Sequence, residues 1–114
     1  MSNPLAIVFT NKLDPKLETL AIWCPGCSEI VMLPVSGEAP WEWNRSLTDV
    51  TLHPSILTDY GTVAGKRIVC HSFLTNGVWN FLSDSTHELA GKTAPMQELP
   101  DWLVRERLGY AADD

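Results

Sequence analysis

Arg67-Ile68-Val69-Cys70-His71-Ser72-Phe73-Leu74-Thr75-Asn76-Gly77-Val78-Trp79-Asn80-Phe81-Leu82 is the stretch that decides the fold class. Two runs rich in β-branched and aromatic residues, 67–74 and 78–82, flank Thr75-Asn76-Gly77. Asn-Gly supplies the positive φ angles that a tight hairpin turn demands. Alternation along the first run puts Val69, His71 and Phe73 on one strand face and Ile68, Cys70 and Ser72 on the other. A cysteine thus reaches a strand face, and the rest of the chain must supply what meets it.

Upstream, residues 17–23 read as a strand running into Cys24-Pro25-Gly26-Cys27, and 29–35 as the strand leaving it. Residues 36–40 are turn-like, with Gly37 and Pro40. Trp41-Glu42-Trp43 alternates as a half-buried strand does. Residues 48–52 form another short strand, ending before Pro54, which has no N–H to give a ladder. Downstream, residues 83–86 offer N-caps for one or two helical turns through His87-Glu88-Leu89-Ala90, stopped at Gly91. Residues 100–108 carry the strongest helix signal. Pro100 suits the first position, Asp101 the positive dipole end, and Arg105 and Arg107 the negative end, with Gly109 as the stop. The expected architecture is mainly β, a small zinc-ribbon-like antiparallel sheet with a short C-terminal helix, residues 1–114 forming one zinc-stabilised domain.

The chain has 114 residues and a formal net charge of −6, with a pI near 4.9. Nucleic-acid backbones are bound by clustered Lys and Arg, and the eight here are scattered, so no nucleic acid is expected. No stretch approaches the roughly 18 apolar residues that span a bilayer, so no membrane partner is expected either. Residues 5–9 are too short an apolar run for a signal peptide, and three cysteines do not make a disulfide framework. A cytoplasmic thiolate site is the expectation.

Cys-x-x-Cys across Pro25-Gly26 is the strongest chemical motif. Two thiolates on a tight turn converge on one tetrahedral ion, and Cys70 is the only other thiol, which makes a Cys3His zinc site the natural completion. A redox pair needs a helix N-terminus to stabilise its thiolate, whereas residues 28–32 read as strand. His53, His71 and His87 compete for the fourth position. His71 neighbours Cys70, and adjacent strand residues face opposite ways, so both reaching one ion requires a bulge; His87 avoids that difficulty. A catalytic zinc needs an open position and a base. Neither His-Glu-x-x-His nor the deaminase pattern is present; Glu88 reads first as a solvated helical glutamate and, alternatively, as a base beside a metal. No Gly-x-Ser-x-Gly elbow occurs. Trp23 and Trp79 read as core near the metal and Trp102 as a helix anchor. Trp41 and Trp43 read as core or, alternatively, as a binding surface.

The ordered motifs Trp23-Cys24-Pro25-Gly26-Cys27, Trp41-Glu42-Trp43-Asn44, Thr51-Leu52-His53-Pro54-Ser55-Ile56-Leu57, Cys70-His71-Ser72-Phe73-Leu74 and the run from Phe81 to Gly91 resemble a family of small bacteriophage and prophage proteins of unknown function, over roughly residues 17–100. Its members are often labelled ammonia monooxygenase, a membrane-bound copper enzyme that a chain without a spanning segment does not match. More distant bacterial relatives carry a histidine six residues before the hairpin glycine, which implies His71 as the fourth ligand with Cys24, Cys27 and Cys70. They also have a cysteine where this chain has Leu82, which keeps His87 in play. Some occur near bacterial ubiquitin-like conjugation genes. The resulting expectation is a phage-type, zinc-stabilised, non-catalytic module in the host cytoplasm that binds a host or phage protein. The alternatives are a small zinc-dependent hydrolase and a virion component.

Overall fold

A computed structural model describes residues 3–37 and 40–104. It contains two antiparallel sheets. The first has the order β1-β2-β3, from β1 (Ala6–Thr10), β2 (Glu18–Cys24) and β3 (Glu29–Pro34). The second runs β4-β5-β6-β7-β8, from β4 (Glu42–Trp43), β5 (Leu52–Val63), β6 (Lys66–Thr75), β7 (Val78–Phe81) and β8 (Thr93–Pro95). One helical turn follows at residues 101–104. The chain is therefore mainly β with a short helix near its C-terminus, as expected; residues 105–108 of the anticipated helix lie outside the described residues.

The β6–β7 hairpin closes with Thr75 opposite Val78, and Asn76 and Gly77 take φ angles of 49° and 77°. That is the left-handed pair a two-residue hairpin turn requires. β5 and β6 form a second, longer hairpin closed the same way by Ala64 and Gly65 (φ 52° and 80°). Alanine rarely takes that conformation, which is why this turn carried no signal in the sequence.

β5 corrects the expectation of a strand ending before Pro54, because it runs through Pro54 to Val63. Between the pairs Leu52↔Leu74 and Ile56↔Ser72 the register shifts, so His53, Pro54 and Ser55 stand opposite Phe73 alone. At such an irregularity the ladder is interrupted, and a residue lacking an N–H is tolerated there.

Leu20, Ile22 and Leu33 of the first sheet meet Leu52, Ile56, Leu74, Trp79 and Phe81 of the second in one buried cluster. Trp41 and Trp43 pack against it, partly buried. Trp23 belongs instead to a smaller cluster with Ile7, Leu99 and Leu103. The helical turn is anchored by Leu103, buried in one cluster with Leu99 just ahead of the turn, while Trp102 is exposed, contrary to its expected role.

The helical turns expected within residues 83–90 do not form. The Ser85 hydroxyl accepts the His71 N–H (2.9 Å) and donates to the His71 carbonyl (3.0 Å). The Thr86 hydroxyl accepts the Val69 N–H (3.0 Å), and the Thr86 N–H donates to the Val69 carbonyl (2.9 Å). Serine and threonine hydroxyls compete with helix hydrogen bonding in this way, and here they fasten the segment along β6. Among the described residues no helix is long and apolar enough to cross a membrane.

Candidate functional site

β6 divides two groups of functional side chains. Its inner face carries Cys70, Ser72 and Leu74, all buried. The outer face carries Val69, His71 and Phe73, by the same alternation.

Beneath the sheet, the sulfurs of Cys24, Cys27 and Cys70 all lie within 4.8 Å of one another, with Cys24 and Cys70 3.6 Å apart. The Cys24–Cys27 turn is closed by the Ser28 N–H donating to the Cys24 carbonyl (2.9 Å). Ser28, with φ 54°, takes the left-handed conformation. Gly26 serves a different purpose: a Cβ there would collide with the His87 ring and the Phe81 edge. The missing side chain lets His87 lie against the turn, with Nε2 3.3 Å from the Cys70 sulfur and its ring edge-on to Phe81 at 4.8 Å. The Leu89 N–H donates to His87 Nδ1 (3.2 Å). In a neutral ring that leaves the proton on Nε2, directed at the Cys70 sulfur. The Tyr60 hydroxyl donates to the Cys27 sulfur (3.5 Å). A cleft of about 310 Å³ opens beside the group, lined by Gly26, Cys27, Glu29, Tyr60, Cys70 and His87 among others.

The sulfurs are too close to ionise independently. Hydrogen bonds from Cys24 and Cys70 hold the Cys27 thiol well below its usual range. The thiols of Cys24 and Cys70 are pushed up, Cys24 chiefly by its contact with Cys27 and Cys70 by its contacts with Cys24 and Cys27. A divalent cation removes this conflict by taking all three as thiolates. The spacing fits as well: tetrahedral Zn–S bonds near 2.3 Å imply sulfur–sulfur edges of about 3.8 Å. The three cysteines can hold a metal ion.

His71 does not join them. Its ring stands on the outer face, where Nδ1 lies 2.9 Å from Asp84 Oδ2 and 3.2 Å from Oδ1, and Nε2 lies 3.0 Å from Ser55 Oγ. No bulge turns it toward Cys70, and the opposed faces of neighbouring strand residues decide the matter. A carboxylate only accepts, so Nδ1 carries the proton and Nε2 accepts from the Ser55 hydroxyl. This is the connectivity of a nucleophile, a general base and an orienting acid. Three local features build it. The β5 irregularity presents Ser55, β6 presents His71, and the Ser85 hydroxyl clamps the His71 backbone beside Asp84. The Asp84 side chain is 60% exposed and that of His71 23%.

Sequence reasoning missed Ser55 and Asp84. No sequence signal marks them: Ser55 sits beside Pro54 in a strand irregularity and Asp84 in a turn, and both reach His71 only through the fold. His53, the third histidine, lies exposed on β5 opposite Glu42 and is not among the residues that gather at the cysteines. Glu88 is exposed and does not line the cleft at the cysteines.

The family model that matches this chain is described as BubE, bacterial ubiquitination-like system serine protease, and it covers residues 3–82. The matched stretch holds Ser55 and His71 and stops just short of Asp84. No curated protein and no solved structure matches. The family match overturns the resemblance to a phage family of unknown function, and with it the phage assignment and the non-catalytic interaction module. The hydrolase alternative was nearer, although it placed the chemistry at a metal beside Glu88.

Proposed function

Because this chain belongs to the BubE family, the serine proteases of bacterial ubiquitination-like systems, we propose that it is a serine peptidase with Ser55 as nucleophile, His71 as general base and Asp84 as the group that orients it. The observation that carries this reading is the unbroken chain of hydrogen bonds, Ser55 Oγ to His71 Nε2 at 3.0 Å and His71 Nδ1 to Asp84 Oδ2 at 2.9 Å.

Ser55 Oγ attacks the scissile carbonyl carbon while its proton passes to His71 Nε2. Asp84 stabilises the imidazolium that forms. The C–N bond then breaks, the leaving amine takes the proton from Nε2, and the acyl group stays on Ser55 as an ester. Water, deprotonated by Nε2, attacks that ester, releases the carboxylate product and returns the proton to Ser55. The family's description points to a polypeptide of a ubiquitination-like system as substrate, either a ubiquitin-like protein extended beyond its conjugating terminus or a conjugate of it.

Cys24, Cys27 and Cys70, with His87 through Nε2, would hold one structural zinc ion beneath the sheet. His87 would then carry its ring proton on Nδ1, in place of the bond from the Leu89 N–H. Those four residues would tie the Cys24–Cys27 turn to β6, the strand that presents His71, so the ion would supply a cross-link and no chemistry on the substrate.

Incubating the full chain with a ubiquitin-like protein fused at its C-terminus to a reporter tests the proposal. Release of the reporter by the wild type and not by Ser55→Ala supports it. Equal cleavage by both proteins overturns it.

A further inference from the structure

We infer that Leu57 and Phe73 flank the scissile bond, one on each side, and select substrates with apolar side chains there. The inference rests on the serine-peptidase reading and adds what that peptidase accepts. It comes from the register of β5 and β6. Leu57 is paired with His71, and directly opposed residues of an antiparallel ladder share one face, with Cβ atoms about 5 Å apart. Phe73 follows His71 by two residues and so lies on the same face. Across from Phe73 is the stretch from His53 to Ser55.

Four side chains therefore mark the corners of a quadrilateral on the outer face. Ser55 and Leu57 are its β5 corners, and Phe73 and His71 its β6 corners. The Ser55–His71 hydrogen bond runs along one diagonal, and Leu57 and Phe73 stand at the ends of the other. Both are large apolar side chains in water, 60% and 39% exposed, whereas Ile56, Cys70, Ser72 and Leu74 on the opposite face are buried. Single exposed apolar residues are ordinary; two that bracket a nucleophile and its base are placed where a substrate must pass.

A polypeptide whose carbonyl carbon reaches Ser55 Oγ, with its leaving nitrogen near His71 Nε2, crosses between Leu57 and Phe73. Successive side chains of an extended chain point to opposite sides, so the residue on one side of the cleaved bond turns toward Leu57 and the residue on the other side toward Phe73. The exposed Asp84 carboxylate against the His71 ring disfavours acidic residues near the scissile bond, so the substrate class is a polypeptide with apolar, non-acidic residues around it.

The test measures kcat/KM for two internally quenched peptides that differ only in the residues flanking the cleaved bond, leucine in one and aspartate in the other. Each protein's values are normalised to its own rate of Ser55 phosphonylation by a fluorophosphonate. The wild type is expected to prefer the leucine peptide. Leu57→Ser and Phe73→Ser are expected to shrink that preference by about tenfold or more, while Leu57→Met and Phe73→Leu keep it. A preference unchanged in both serine variants overturns the inference and leaves the peptidase standing. A folded wild type that is never phosphonylated at Ser55 overturns the peptidase reading, and the inference falls with it.

Discussion

Cys70 and His71 are consecutive in the chain and belong to different centres. The Cys70 sulfur lies 3.6 Å from that of Cys24 beneath the sheet, whereas His71 Nε2 lies 3.0 Å from Ser55 Oγ above it. One strand thus carries a member of the cysteine cluster on one face and the histidine that pairs with Ser55 on the other, and the two can be separated by mutation.

His71→Ala is expected to keep its bound metal and to lose at least about 10³-fold in kcat, as removal of a triad base does. His87→Ala is expected to weaken metal binding by about tenfold or more, since even groups that only support ligands cost that much. Chelator competition and peptide turnover on both variants check the pair. The reverse pattern, with metal lost from His71→Ala and retained by His87→Ala, restores His71 as a ligand.

Stripping the metal is expected to unfold the chain. A structural zinc supplies on the order of 10 kcal/mol, comparable with the whole stability of a domain this size. Chelators will therefore inhibit a serine enzyme, with activity falling in step with the melting transition. Cobalt in place of zinc is expected to restore turnover along with order, because the role proposed for the metal is structural. Strong inhibition at an unchanged melting temperature would point to a catalytic metal instead.

Gly26→Ala places a methyl group against the His87 ring and Phe81. Overpacking of this kind costs about 1–3 kcal/mol. The expected readout is weaker zinc binding and a lower melting temperature, with the Ser55–His71 pair still reactive toward a fluorophosphonate in the fraction that remains folded. Unaltered zinc affinity would remove His87 from the ligand set.

Asp84→Asn lets an amide N–H face His71 Nδ1, which favours the tautomer with the proton on Nε2, where it blocks transfer from Ser55. In a buried triad that change costs about 10⁴ in kcat. Asp84 is 60% exposed, so water screens the pair, and the expected loss is smaller, about 10²-fold. Steady-state kinetics on the folded variant decide it, and an unchanged kcat removes Asp84 from the mechanism.

What could be read in the sequence was local. Asn76-Gly77 announced its hairpin because two consecutive left-handed residues have few other uses, and Cys24-Pro25-Gly26-Cys27 announced a metal turn because its spacing is its chemistry. The alternation rule even placed Cys70 and His71 on opposite faces, and only a resemblance to other proteins argued them back onto one ion. The hydrogen-bonded group of Ser55, His71 and Asp84 was illegible for a physical reason: its members come from a strand irregularity, a strand and a loop, with no fixed spacing among them. Pro54 hid the first of these by reading as a strand end, although β5 passes through it where the ladder lapses. Ser85 and Thr86 hid the last by reading as helix caps, while their hydroxyls serve the β6 backbone.

The nucleophile itself is the most direct point of test. The intact, zinc-loaded chain is treated with a fluorophosphonate, and the adduct is located by peptide mass spectrometry. The expected result is one adduct per chain, on Ser55, absent from both Ser55→Ala and His71→Ala. An adduct on another serine, or equal labelling of Ser55 in the His71→Ala protein, would contradict the assignment.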